Sequence, residues 1–219
     1  MERIPEPELM DDPAQALAYA QADFSAPHDY FVELVAQRFG TGLCGTVLDL
    51  GCGPGDICRR FARRFPDCRI HGIDASAPML ELARRDTRAA SLDERIRYFS
   101  ARLPDATLPL PHYDLLLSNS LLHHLSEPAV LWETIARHGR TGSRVFVMDL
   151  MRPGDRARAE SLLKTYAADE PAVLQKDFFH SLLAAYRPDE VRQQLARQGL
   201  EQLAIEVVSD RHFIVCGEL

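Results

Sequence analysis

Glycines and acidic residues come together at one point of the sequence, where a ligand can be bound. Residues 51–55 read Gly-Cys-Gly-Pro-Gly, directly after the short run Val47–Leu50, which contains Asp49. Glycine adopts backbone conformations that other residues avoid, and its missing side chain lets a ligand lie against the main chain. A dinucleotide-binding loop requires another glycine where this chain has Asp56. A negative charge there opposes a pyrophosphate and favours a ligand that carries positive charge.

A second acidic residue, Asp74, ends the next strand-like run, Ile70–Ile73. The carboxyl ends of parallel strands meet at the ligand-binding edge of an open sheet, so we expect Asp74 beside the glycine loop. Its carboxylate can accept hydrogen bonds from both hydroxyls of a ribose, each contributing about 1.5–3 kcal/mol. A nucleoside with cationic groups satisfies both Asp49 and Asp74. S-adenosylmethionine, with its sulfonium and ammonium, is such a molecule.

In this order, the acids and glycines make the segment from about 46 to 142 resemble the class I S-adenosylmethionine-dependent methyltransferases. Asp49-x-Gly51-x-Gly53-x-Gly55 is similar to the first motif of that family, and Asp74 to its ribose-binding acid. A later His-His pair is common in the branch that methylates small molecules. The resemblance implies a Rossmann-like methyltransferase fold with S-adenosylmethionine as cofactor.

The resemblance also implies further contacts to the cofactor. Ala75 and Met79 would flank the adenine, and backbone near Ser118 and Asn119 would hold the methionine end. By the same resemblance, Arg102 and Leu103 would lie at the edge of the adenine, and Tyr19 and Phe24 would cover the cofactor as an aromatic lid. The expected cofactor-binding residues are Tyr19, Asp49, Gly51, Cys52, Gly53, Asp74, Ala75, Met79, Arg102, Leu103, Ser118 and Asn119.

Two adjacent histidines, His123 and His124, are the candidate catalytic residues. Neutral histidine takes up a proton near pH 7, so either ring can act as a base or orient the acceptor. The alternative is a pair at the start of a helix, with one ring packed and the other exposed. Alignment of the two reactants supplies much of the rate of methyl transfer, and a base is needed only if the acceptor must lose a proton.

Candidate contacts to the acceptor follow the fifth strand. Its end places two charged residues at the ligand edge of the sheet, where they can contact the acceptor or form a loop salt bridge. Aromatic residues of the next helices, among them Phe179, are either core or part of an acceptor lid, which this family places in an insertion after strand five. The expected acceptor contacts are Asp149, Arg152, Phe178, His180 and Tyr186.

Alternation of strand-like and helix-like segments predicts the fold class. Such alternation is typical of right-handed βαβ units and predicts an α/β fold with a doubly wound, mostly parallel seven-stranded sheet. Two apolar runs joined by a polar turn close the chain and predict a hairpin whose last strand is antiparallel. The predicted strands are 47–50, 68–73, 96–99, 113–117, 144–150, 203–208 and 212–216, with helices at 56–65, 76–89 and 128–138.

Helices without intervening strands are predicted at two places. Two lie near the N-terminus, from about 14 to 22 and from 25 onward, and three follow Pro153, at 155–168, 171–185 and 188–198. We therefore expect an N-terminal helical cap over 1–42 and a methyltransferase domain over 43–219. The helical insertion, about 153–190, is the expected acceptor lid.

Charge and cysteine content narrow the functional classes. The 219 residues carry a formal net charge of −7, which argues against nucleic acid as a partner. No apolar run is long enough for membrane insertion. The five cysteines fit neither a zinc site nor a disulfide framework, so we expect no metal. With an acidic, Pro-broken N-terminus unlike a signal peptide, the expected location is the cytoplasm. The oligomeric state stays open.

The leading hypothesis is methyl transfer from S-adenosylmethionine to a small organic acceptor. One alternative is a regulatory or scaffold protein that binds the cofactor without chemistry. Another is a nicotinamide-dependent oxidoreductase, which the acid at position 56 opposes.

Overall fold

A computed structural model of the chain describes residues 1–6, 11–104 and 108–219. It has one seven-stranded sheet with helices on both faces. The strands are β1 (Gly45–Leu50), β2 (Cys68–Asp74), β3 (Ile96–Ser100), β4 (Leu115–Asn119), β5 (Arg144–Leu150), β6 (Ala204–Val207) and β7 (His212–Glu218). The helices are α1 (Pro13–Gln21), α2 (Ser25–Phe39), α3 (Asp56–Arg64), α4 (Ala77–Ala89), α5 (Ala129–His138), α6 (Arg156–Tyr166), α7 (Ala172–Ala184) and α8 (Pro188–Arg197).

The strand order, β3-β2-β1-β4-β5-β7-β6, confirms the predicted doubly wound sheet. The first five strands run parallel. β7 pairs antiparallel with β5 and with β6, as the predicted hairpin requires. The order reverses at β1, which lies between β2 and β4. Open α/β sheets bind ligands at such a point, beyond the carboxyl ends of the strands.

Of the predicted strands, the fourth is displaced by two residues toward the C-terminus. The sequence predicts the fourth strand over 113–117, but β4 spans Leu115–Asn119. Ser118 and Asn119 continue the ladder, paired with Val147 and Met148 of β5. Their polar side chains ended the apolar pattern early, because the carboxyl end of a strand at a ligand edge need not be apolar. This shift places Asn119 at the tip of the strand.

Two hydrophobic cores sandwich the sheet, because alternate residues of each buried strand point to opposite faces. In β5, Phe146 packs into one core with α2, α3 and α4, and Val145 packs into the other with α5 and α8. The ring of Phe31 in α2 meets Phe146 edge-on, with 5.1 Å between centroids. Helix α2 is thereby fastened to the middle of the sheet.

The N-terminal segment and the helical insertion lie together beyond β4 and β5. The backbone N–H of Ile4 donates to the carbonyl of Leu183 at the end of α7, at 3.0 Å. Helix α1 reaches the same helix through Gln15, whose amide donates to Asp177 at 2.9 Å. These contacts join the start of the chain to the predicted lid. The division at residue 42 stays a prediction.

Of the helices that the structure describes, the longest is α2, with 15 residues. None combines the length and the apolar character needed to cross a membrane.

Candidate functional site

The glycine loop between β1 and α3 has positive φ angles at all three of its glycines, Gly51, Gly53 and Gly55, a backbone conformation that favours glycine. Gly53 and Gly55 have φ values of +51° and +74°. A Cβ on Gly55 would lie 2.3 Å from the hydroxyl of Tyr98, whereas a Cβ on Gly53 would meet nothing within 4 Å. The loop is thus packed tightly on its inner side and open at Gly53, where a ligand can approach the backbone.

Asp74 ends β2 and holds the loop by its carboxylate. One oxygen accepts the N–H of Gly53 at 2.9 Å, and the other accepts the N–H of Ser76 at 2.8 Å. Burial raises the pKa of Asp74, and these backbone bonds oppose the shift. Each carboxylate oxygen can accept a further hydrogen bond. Asp74 can therefore brace the loop and still bind a ribose diol.

Asp49 lies in β1 beneath the same loop and is 2% exposed. Burial raises the pKa of its carboxyl to about 6, although the thiol of Cys58 donates a hydrogen bond to it at 3.0 Å. Asp49, Gly51, Gly53 and Asn119 line one cleft. A buried carboxylate with so few donors gains stability when a cationic ligand enters.

Asp56 opens α3 on the rim of that cleft, and its charge is already paired. Its carboxylate lies 2.7 Å from Nδ1 of His28 and accepts from Nε of Arg60, also at 2.7 Å. Burial would raise the pKa of Asp56, but the bonds from His28 and Arg60 outweigh it and hold the pKa well below its usual range. The negative charge that the sequence places at position 56 is therefore held by His28 and Arg60 on the rim of the cleft.

Aromatic rings from the N-terminal helices lie next to the cleft. The rings of Tyr19 and Phe24 are 4.7 Å apart, and Phe24 lies 5.4 Å from the ring of His28. Burial raises the pKa of Tyr19 to about 12, and the charges of Asp56 and Asp74 add to the shift. The predicted lid residues thus come close to both acidic groups.

The remaining predicted cofactor residues surround the loop or the strand ends. Met79 is buried in the first turn of α4, which Ser76 caps as predicted. Cys52 is buried, and burial raises the pKa of its thiol to about 11, so the thiol is protonated at neutral pH. The hydroxyl of Ser118 donates to the carbonyl of Leu50 and joins β4 to β1. The other members are partly buried Ala75 and Leu103 and exposed Arg102.

The two histidines form a 3₁₀ turn, Leu122–His124, after β4. Asp149, at the end of β5, accepts the N–H of Leu122 at 2.8 Å and lies 2.6 Å from Nδ1 of His123. Burial lowers the pKa of His123, but the charge and hydrogen bond of Asp149 outweigh it, so the net shift is upward. The side chain of His123 is 2% exposed and that of His124 is 27% exposed. One ring is packed and the other is accessible.

Glu6 belongs to this histidine pair in space, although it comes from the N-terminal segment. Its Oε1 lies 3.7 Å from Nε2 of His123 and 3.2 Å from Nδ1 of His124. The hydroxyl of Ser181 in α7 donates to the same oxygen at 3.0 Å. Burial raises the pKa of Glu6, and the charge of His123 opposes the shift. No sequence pattern marks Glu6, because only the tertiary fold brings it to the turn.

Comparison with known proteins finds a family that part of the chain resembles. Residues 47–142 match a family model described as a methyltransferase domain. The matched stretch begins in β1 and ends after α5, so it contains the glycine loop, Asp74 and the histidine turn. This match over less than half of the chain agrees with the resemblance to S-adenosylmethionine-dependent methyltransferases drawn from the glycine loop and Asp74.

Curated relatives of this stretch are named as methyltransferases. A trans-aconitate 2-methyltransferase of Mycobacterium ulcerans (strain Agy99) is 37% identical over 134 residues, covering 59% of this chain and 45% of that protein. Trans-aconitate 2-methyltransferases of two other bacteria match over 36% and 39% of their length. The chain therefore matches less than half the length of these relatives.

Solved methyltransferase structures share the fold. A SAM dependent methyltransferase from Aquifex aeolicus superposes with a TM-score of 0.68 at 19% identity, covering 94% of this chain and 97% of that one. The plantazolicin methyltransferase BpumL, in complex with a desmethylPZN analog and SAH, has a TM-score of 0.68 at 16% identity. That superposition covers 94% of this chain and 95% of the other.

The acceptor residues predicted for the methyltransferase domain occupy different environments. Arg152 is buried and bonded to Glu190 and to the carbonyl of Ala185, in keeping with the salt-bridge alternative. The hydroxyl of Tyr186 donates to the carbonyl of Leu125 at 3.0 Å. Asp149 is 1% exposed and bonded to the histidine turn. Phe178 is half-buried and His180 is exposed. Their roles toward an acceptor stay predictions.

Proposed function

We propose that this protein transfers a methyl group from S-adenosylmethionine to a small organic acceptor. The observation that carries the proposal is the pair of carboxylates, buried Asp49 and half-buried Asp74, on the two sides of a loop that is open at Gly53. Two carboxylates around one glycine loop favour a cationic nucleoside and oppose a diphosphate.

The residues present fit this cofactor. Asp74 has remaining lone pairs for the ribose hydroxyls. Asp49, whose carboxyl is raised to a pKa of about 6 by burial, gains from a neighbouring ammonium. Tyr19 and Phe24 supply an aromatic cover, and Met79 supplies a polarisable apolar surface for the adenine. Each of these groups matches one part of the cofactor.

The bound cofactor supplies an electrophilic methyl carbon that is activated by the sulfonium. The protein supplies position: the loop, the strand tips and the covering helices hold the two reactants close, aligned and away from water. His124, with its side chain 27% exposed, is the histidine that can take a proton from an acceptor. His123 is held by Asp149 at 2.6 Å and positions its neighbour, whose ring centroid is 4.2 Å away.

A small acceptor is supported by charge and by the relatives. The net charge of −7 disfavours a nucleic acid. The names of the proteins compared above indicate that they act on trans-aconitate and on plantazolicin. Helix α7 and residues 1–6 lie over the histidine turn, where a lid would enclose a small molecule. All five cysteines are free, which supports a reducing compartment such as the cytoplasm.

The test is incubation of the protein with a host metabolite extract and a cofactor that carries a heavy methyl group. We expect S-adenosylhomocysteine to form together with products shifted by the methyl increment in mass spectrometry. Tight binding of S-adenosylmethionine without any transfer would favour the regulatory or scaffold alternative. Saturable NADH binding at micromolar concentration would favour the oxidoreductase alternative.

A further inference from the structure

Glu6, His123 and His124 bring three metal-ligating atoms together, within 4.8 Å of one another. The separations from Oε1 of Glu6, 3.7 Å to Nε2 of His123 and 3.2 Å to Nδ1 of His124, are close to those around a metal ion. With metal–ligand bonds of 2.0–2.2 Å, two ligands in tetrahedral geometry lie about 3.3–3.6 Å apart. Small side-chain shifts would complete the site.

The partner of His123 has the position expected behind a metal ligand. Asp149 lies 2.6 Å from Nδ1 of His123 and is itself 1% exposed. A carboxylate on one ring nitrogen fixes the tautomer and directs the lone pair of the other nitrogen outward. Here the other nitrogen, Nε2, faces Glu6. Ser181 orients Glu6 in the same way, by a hydrogen bond to its carboxylate.

Charge and exposure around the cluster also suit a cation. The side chains of Glu6 and His123 are 10% and 2% exposed, while His124 opens to solvent at 27%. The carboxylates of Glu6 and Asp149 lie beside the two rings, and the guanidinium of Arg3 is bonded to the carbonyls of His123 and Leu125. Two carboxylates next to the ligand atoms favour a cation at this cluster.

We propose that Glu6, His123 and His124 bind a divalent first-row transition-metal ion, with Asp149 as a positioning residue. Two imidazoles and one carboxylate suit zinc, iron or manganese better than calcium or magnesium, which prefer oxygen ligands. The bound ion would fasten residues 1–6 onto the turn after β4. An ion on Nδ1 of His124 leaves its Nε2 protonated, so this ring cannot bind the metal and accept a proton at the same time. The site itself does not depend on methyl transfer, and it differs from the expectation of no metal drawn from the cysteine spacing.

The test is titration of untagged, metal-free protein with Zn²⁺ by calorimetry and with Co²⁺ by visible absorption, both without cofactor. We expect one equivalent of Zn²⁺ to bind and a visible Co²⁺ band to saturate at the same ratio. Glu6→Gln and His124→Gln should weaken binding at least tenfold, and Asp149→Asn should weaken it by about ten- to a hundredfold. Glu2→Gln is the matched control, because Glu2 lies in the same segment and is exposed.

Wild-type protein that takes up no stoichiometric Zn²⁺ and gives no saturable Co²⁺ band would overturn the proposal, whatever the folding of the variants. Equal binding by Glu6→Gln and Glu2→Gln would overturn it as well. Because no cofactor is present in the titrations, either result leaves the proposed methyl transfer to its own test.

Discussion

The buried carboxyl of Asp49 makes cofactor affinity dependent on pH. Burial raises its pKa from 3.8 to about 6. In the ligand-free protein the carboxyl is therefore ionised in roughly nine-tenths of the molecules at pH 7 and in roughly one-tenth at pH 5. The amino group of S-adenosylmethionine keeps its proton over this range, as an α-amino group does. If the ionised carboxylate is the binding form, affinity falls about tenfold from pH 7 to pH 5.

The variant Asp49→Asn separates the contribution of this carboxyl to the pH dependence from that of every other titrating residue. The amide keeps the shape of the carboxyl and can still accept the bond from Cys58, but it has no proton to exchange. Calorimetric titration with S-adenosylmethionine at pH 5, 6 and 7 should show the tenfold trend in wild type. The variant should bind about as weakly at pH 7 as wild type does at pH 5, with a smaller dependence on pH. A wild-type affinity that changes less than threefold, or an equal slope in both proteins, would refute the reasoning.

Two further predictions concern stability, and urea unfolding measures both. Gly55→Ala should destabilise the fold by about 2 kcal/mol or more, because its Cβ would lie 2.3 Å from the hydroxyl of Tyr98 at a positive φ. Gly142→Ala shares the positive φ but meets nothing within 4 Å, so it should cost only about 1 kcal/mol, and equal losses would contradict the steric argument. Burial lowers the pKa of His212 to about 4, so the unfolded chain binds more protons than the native state between about pH 4 and 6.5. The free energy of unfolding should therefore fall by up to roughly 3 kcal/mol as the pH drops through that window. The His212→Gln variant should lose less stability over the same window. Equal losses in the two proteins would exclude His212 as the cause.

The fold was accessible from sequence because its signals are local. Parallel strands buried on both faces are short apolar runs, and β1 and β5 follow that pattern. Helix α4 begins at the predicted cap, Ser76. The end of β4 was misplaced because Ser118 and Asn119 are polar at a ligand edge, where pairing continues after the apolar pattern stops.

Site residues could be predicted from the sequence only where they belong to a contiguous motif or directly follow a predicted strand. The glycine loop is contiguous and follows β1, and Asp74 ends β2. Because β1 and β2 are parallel neighbours, the topology alone brings the two strand ends together. His28 and Glu6 meet neither condition. Their positions depend on how α2 and the N-terminal segment pack, which no spacing in the sequence encodes. The partner of Asp56 and the third member of the histidine cluster therefore emerged only from the structure.

Direct titration of wild-type and Asp74→Ala protein with S-adenosylmethionine and with NADH tests the selection of a cationic nucleoside by the two carboxylates. We expect saturable binding of S-adenosylmethionine by wild type and no saturable binding of NADH. Loss of the ribose acceptor should weaken S-adenosylmethionine binding by at least about tenfold, the equivalent of one charge-assisted hydrogen bond. Unchanged affinity in Asp74→Ala, or NADH binding as tight as that of S-adenosylmethionine, would contradict it.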